Sequence, residues 1–152
     1  MATKKEWGNA TWYLFHTLAY KMKDQYFDEL KNDFMNLCTR ICGNLPCPDC
    51  SEHAYAIMAN VKRDNIKTKK DLQMFFFDFH NSVNKRTSKP LFKESEMFKY
   101  QTAITRNIVY NFISILSRKY NNIKLLTNSF HREVAMNDFK KWIAHNSDKF
   151  NM

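Results

Sequence analysis

The feature that most limits what this chain can fold into is its near-lack of helix breakers. Across 152 residues there are two glycines and three prolines. Pro46, Pro48 and Pro90 all fall between periodic stretches, not within them. Long spans free of turn signals predict helices, and the length suits one domain around a sizeable core. β-Alternation is almost absent, so the fold class is all-α.

Apolar spacing draws the helices. A first, over 10–23, sets Trp12, His16 and Tyr20 at i, i+4 and i+8 on one stripe. A second, over 26–42, turns Phe27, Leu30, Phe34, Leu37, Cys38 and Ile41 inward, and Gly43 is expected to close it in the left-handed conformation. A third follows Pro48 and runs to Val61. A fourth, over 69–86, starts at the capping pair Thr68 and Asp71 and carries Leu72, Phe75, Phe76, Phe79 and Val83. Beyond Phe92 one helix is expected over 100–120, broken at Asn121-Asn122. A last one is expected to be capped at Thr127-Asn128-Ser129, with Phe130, Val134, Phe139, Trp142 and Ile143 inward.

The net charge of +9 would draw phosphates, nucleic acid or acidic surfaces, but the basic residues are dispersed. They read as a solvated surface and not as a nucleic-acid track. The N-terminus lacks an apolar signal core and no stretch of 18 apolar residues occurs, so a soluble chain made in the cytosol is expected.

Chemistry concentrates in Leu45-Pro46-Cys47-Pro48-Asp49-Cys50-Ser51-Glu52-His53. Pro48 suits a first helical position, which puts Cys47 at the N-cap and Cys50 in the first turn. Unsatisfied N–H groups and the positive end of the helix dipole favour a thiolate there, and the thiolate is the reactive form. His53 follows one turn on. All four cysteines, Cys38, Cys42, Cys47 and Cys50, lie within 13 residues, which describes a site and not a set of distant staples. Two readings share this cluster: a redox dithiol, or a four-cysteine zinc module that binds nucleic acid through its basic surface. The spacing C-x3-C-x4-C-x2-C is unusual for structural zinc. On the fourth helix His80, Asn81 and Asn84 lie beside phenylalanines. Each needs a hydrogen-bond partner, which a polar ligand would supply.

Three segments occur in register: Trp7-Gly8-x3-Trp12-x3-His16, then Leu45-Pro46-Cys47-Pro48-Asp49-Cys50-x2-His53-Ala54, then Phe79-His80-Asn81-x-Val83-Asn84-Lys85-Arg86-x2-Lys89-Pro90. In this order they resemble the Erv/ALR family of FAD-dependent sulfhydryl oxidases, most closely the members encoded by large DNA viruses. The resemblance implies an all-α four-helix bundle with a short fifth helix around FAD, over residues 1–100, that pairs as a homodimer. Residues 101–152 would then be a C-terminal helical extension packed on the same domain. It implies that Cys50 faces the flavin, that Cys47 is the outer sulfur attacked by the thiols of a substrate protein or shuttle, and that O2 takes the electrons and becomes H2O2. Gly8, Trp12, His16, Tyr20 and His53 would line the flavin. His80, Asn81, Val83, Asn84, Arg86 and Lys89 would hold the adenosine and pyrophosphate, with Tyr100 closing over the adenine. A cytoplasmic setting, host cytoplasm or virion, goes with it.

The chain departs from many relatives in having no cysteine pair on a flexible tail. Cys38 and Cys42, one helical turn apart, would need local distortion to bridge, which favours buried free thiols over a relay. Direct oxidation of a partner's thiols at Cys47 is the expectation that follows.

Overall fold

The structure is a computed structural model that describes residues 2–118 and 123–152, with the backbone alone over 123–128. Helix α1, Lys4–Lys21, begins earlier than its apolar stripe suggests. The Thr3 hydroxyl accepts the N–H of Glu6 while the Glu6 carboxylate accepts the N–H of Thr3, a reciprocal cap that pulls Gly8 inside the helix. Helix α2 is Phe27–Cys42, α3 is Pro48–Ala59 and α4 is Lys69–Arg86, the last opened by the Thr68–Asp71 capping box that the sequence predicts. Short α5, Phe98–Thr102, precedes α6, Thr105–Leu116, and α7, Ile123–His145. No strand forms among the described residues, and the single antiparallel bridge joins Met22 to Phe150. The fold is all-α.

Helix α1 is the axis, packed by α4, α5 and α6, while α2 packs on α3 and α7. One apolar core runs through Trp7, Leu14 and Leu18 of α1, Phe34 of α2, Phe76 of α4, Phe112 of α6 and Phe139 of α7. Each such side chain stabilises the fold by roughly 1.5–3 kcal/mol when fully buried. Residues on both sides of position 100 therefore share one core. A smaller cluster of Phe92, Met97 and Tyr100 sits under Tyr13, Tyr20 and Phe77. No helix among the described residues is long and apolar enough to cross a membrane.

Three expectations are corrected. Gly43 is right-handed, with φ −72°. The end of α2 is satisfied without a left-handed residue, because Gly43 donates its N–H to Thr39 O, and Asn44 gives its side-chain amide to Arg40 O. The helix expected over 100–120 divides at Ala103 and Ile104, which are extended. Thr105 then starts α6, buried with its hydroxyl donated to the carbonyl of Asn151 at 2.5 Å, a tertiary bond that periodicity does not register. The expected break at Asn121-Asn122 lies outside the described residues. Helix α7 runs straight through Thr127-Asn128-Ser129, and its inward stripe is Arg132, Met136, Phe139 and Ile143. Phe130 and Val134 face solvent instead.

Candidate active site

The start of α3 has the geometry that its spacing predicts. Cys47 is the N-cap in extended conformation, Pro48 is the first helical residue, and the N–H of Cys50 points at Cys47 Sγ at 3.3 Å. The two sulfurs are joined as a disulfide, with their Cα atoms 5.2 Å apart. An amide aimed at Cys47 Sγ, added to the helix dipole, favours negative charge on that sulfur once the pair is reduced. The approach to this turn is pinned by Ser51, whose hydroxyl donates to Cys42 O at 2.7 Å and accepts the N–H of Leu45 at 3.3 Å.

Cys50 opens onto a cleft between α1, α3 and α4. Gly8, Trp12, His53, Val83, Arg86 and Lys89 line it with Cys50; Cys47 does not. Seven of the residues singled out from sequence thus meet in one space. Lys89 reaches it through a turn at the end of α4. Ser88 takes the left-handed conformation, φ 58°, the Lys89 N–H bonds Asn84 O at 2.8 Å, and the Ser88 N–H bonds Lys85 O at 3.3 Å. The cleft also takes in Thr11, Phe79, Cys42 and Lys4. Phe79 sits within the motif and Thr11 one residue before Trp12, whereas nothing in the sequence marks Lys4 or Cys42 as cleft residues.

His16, His80 and Tyr100 come together beside this cleft as a ring stack. His80 lies flat on Trp12, with centroids 4.2 Å apart, and Tyr100 lies on His16 at 4.4 Å. His16 Nε2 and His80 Nδ1 share a hydrogen bond of 2.9 Å. Burial, then the charges of His80 and Lys99, push the His16 pKa down to about 2. Burial, then Lys99 and Lys89, push that of His80 down to about 4. Both imidazoles are neutral at pH 7. Burial raises the Tyr100 hydroxyl well above its usual range. Tyr20 packs on the Phe92–Met97–Tyr100 cluster and not on the cleft. Asn81 is occupied by protein: its amide donates to Phe92 O at 2.9 Å and accepts the Phe92 N–H at 2.7 Å. It holds the segment that carries Phe92 over His80. Asn84 is buried at the root of the Lys89 turn.

Of the other two cysteines, Cys42 is among the cleft residues and Cys38 is not. Cys38 and Cys42 are free and buried, and desolvation lifts both thiols well above the normal range. Among the described residues no three His, Cys, Asp or Glu side chains gather as a metal site would require, and two of the four thiols of the zinc reading are bonded to each other. The cleft, by contrast, fits a flat flavin. Trp12 and Phe79 wall it. A Cβ built on Gly8 would meet nothing within 4 Å, and His53 Nε2 is buried without a partner. Arg86 and Lys89 supply cations at the end of α4.

A helical bundle with a disulfide at a helix start, facing an aromatic cleft rimmed by cations, has the arrangement of a thiol–disulfide redox site. The sequence profile of the Erv1 / Alr family matches residues 9–103. Protein 096R of Invertebrate iridescent virus 3 is 32% identical over 62% of this chain and 65% of its own length. Protein 347L of Invertebrate iridescent virus 6 is 32% identical over 59% of this chain and 86% of its own. Both carry the words FAD-linked sulfhydryl oxidase in their names. The FAD-linked sulfhydryl oxidase of African swine fever virus (isolate Pig/Kenya/KEN-50/1950) is 29% identical over 68% of this chain and 87% of its own. The chain spans just under two thirds of the first of these relatives. No solved structure matches it significantly. The chain belongs to the Erv1/Alr family.

Proposed function

We propose that the protein is an FAD-linked thiol oxidase that forms disulfides in partner proteins through Cys47 and Cys50. One observation carries this reading: the Cys47–Cys50 disulfide caps α3 with Cys50 inside the aromatic cleft and Cys47 outside its lining. A thiolate of the substrate attacks Cys47 Sγ, the Cys47–Cys50 bond breaks, and Cys50 leaves as a thiolate. A second substrate thiolate attacks the substrate sulfur of the mixed disulfide. The substrate departs oxidised and the Cys47–Cys50 pair stays behind reduced by two electrons. FAD, when bound, supplies the two-electron acceptor that restores the pair and passes the electrons to O2 as H2O2.

The chain's own residues do the rest. Gly8, Trp12, His53 and Val83 would hold the flavin ring beside Cys50, while Arg86 and Lys89 would meet the pyrophosphate. His80, stacked on Trp12, would back the cleft wall, with the buried His16 and Tyr100 and the flanking Tyr20 behind it. Asn81 and Asn84 would act by holding the Phe92 segment and the Lys89 turn. Residues 1–100 form the oxidase unit in this reading and 101–152 an extension on the same body. The working form is a homodimer in the cytoplasm, host cytoplasm or virion, a setting that the viral relatives support.

The purified protein is expected to be yellow, to lose its flavin absorbance on anaerobic addition of dithiothreitol, and to regain it in air. Cys47→Ala and Cys50→Ala abolish peroxide formation with dithiothreitol, and Cys38→Ala leaves much of it. A colourless protein with stoichiometric zinc, or a fully active Cys47→Ala variant, refutes the reading.

A further inference from the structure

The inward stripe of α7 contains a cation. Arg132 stands at the head of Arg132, Met136, Phe139 and Ile143 and is 2% exposed. Placing a guanidinium where an apolar side chain would serve the core carries a desolvation penalty, so a compensating contact is required. Arg132 Nε donates to the carbonyl of Asn44 at 2.7 Å. Asn44 lies three residues before Cys47, in the linker between α2 and the redox turn. A second strut runs beside it: Arg40 near the end of α2 pairs with Asp138 of α7.

The linker is a partition. Leu45 lines the cleft that holds Cys50 and, on its other side, an outer groove with Gly43, Pro48 and Tyr55. A shift of this segment therefore moves the wall of the flavin-facing space and the approach to Cys47 together. From inside the redox unit, Ser51 is what grips it. The grip from outside comes from a helix beyond the stretch that the family profile matches, which ends at residue 103.

We infer that Arg132 of the C-terminal extension is a positioning residue for the Cys47–Cys50 pair. It clamps the linker 43–46 through its bond to the Asn44 carbonyl and so sets the reactivity of the disulfide. The inference rests on the reading of Cys47–Cys50 as the redox pair. Its test reads local opening and disulfide reduction, so it fails or stands apart from any oxidase assay.

Two substitutions separate the bond from the bulk. In Arg132→Met the side chain keeps its length to the Nε position but loses the donor; in Arg132→Gln an amide N–H occupies that position. In the full-length oxidised protein, NMR hydrogen exchange of the bonded Asn44 and Leu45 amides is expected to quicken roughly tenfold or more in Arg132→Met. Exchange within α4 stays unchanged. The rate at which dithiothreitol reduces Cys47–Cys50, followed by quenching and alkylation, changes at least threefold, and Arg132→Gln returns both readouts to near wild type. Asp138→Asn, an exposed strut, has little effect. Exchange at Asn44 and Leu45 unaltered in Arg132→Met, equal effects of Met and Gln, or an acceleration spread evenly over α1 and α4 overturns the clamp. The wild-type protein gives an independent reading: the Leu45 amide and the amides of 132–136 should open with one common free energy. Opening at Leu45 while α7 stays closed overturns the clamp as well.

Discussion

Replacing His16 isolates a proton that the fold refuses. The ring is fully buried, bonded through Nε2 to His80 at 2.9 Å and covered by Tyr100 at 4.4 Å, and its Nδ1 has no partner. Its pKa falls from an ordinary 6.5 to about 2. The unfolded chain takes up a proton near pH 6.5 and the folded chain does not. Stability from this group is therefore complete above pH 6.5 and is lost as the pH falls from 6.5 toward 2. Between pH 7 and pH 5 the loss comes to about 2 kcal/mol. With a urea m value of about 1–3 kcal/mol/M, the unfolding midpoint moves by roughly 1 M. The assay is urea unfolding by circular dichroism at both pH values, for wild type and for His16→Phe. Carboxylates contribute to both proteins and cancel, and a His80→Phe background for both removes the bonded neighbour, so the protein with His16 should lose about 2 kcal/mol more than the one without it. Equal losses would mean that His16 is protonated in the folded state, and the neutral, desolvated stack described here would be wrong.

Other expectations are smaller. Ser88→Gly relieves a left-handed residue and should raise stability by about 1 kcal/mol in thermal unfolding, with Lys89 unmoved. Gly43→Ala should be neutral or stabilising by up to about 1 kcal/mol, since the backbone there is right-handed and the nearest neighbour is the half-exposed Tyr55 ring at 3.2 Å; a large loss would contradict that cap. Gly8→Ala should stabilise α1 by about 0.5–1 kcal/mol yet weaken flavin retention, read by absorbance after gel filtration, because the added methyl projects into the cleft. After mild reduction, iodoacetamide should label Cys47 and Cys50 well before Cys38 and Cys42, whose buried thiols resist ionisation; mass spectrometry of early time points reads the order.

Much of this molecule is local and therefore legible in the chain. The lack of breakers settles helix. Pro48 after Cys47 settles an N-cap and a first turn, because those preferences act over four residues. Thr68 with Asp71 does the same for α4. The three motifs in register mark which helices carry chemistry. What spacing cannot report is which of two polar partners a side chain takes. Asn81 looked like a ligand group and is held by the backbone of Phe92, eleven residues on. Tyr20 shares a stripe with Trp12 and His16, yet it turns to the Phe92 cluster because helix periodicity orders side chains about one axis without saying what stands opposite.

The same limit governs residues beyond 103. Thr105 starts a helix by bonding Asn151, and α7 buries Arg132 while it exposes Phe130, against the apolar pattern. Both choices depend on contacts far apart along the chain, whose worth exists only once the surfaces meet. The sequence by itself determined an all-α chain with a pair of cysteines at a helix start and aromatic stripes on the helices around it. Only the tertiary structure decided which helices enclose Cys50, and that the extension reaches back to the linker before the disulfide. A helix start can be written in a few neighbouring residues, but a cleft is defined by the distances between helices.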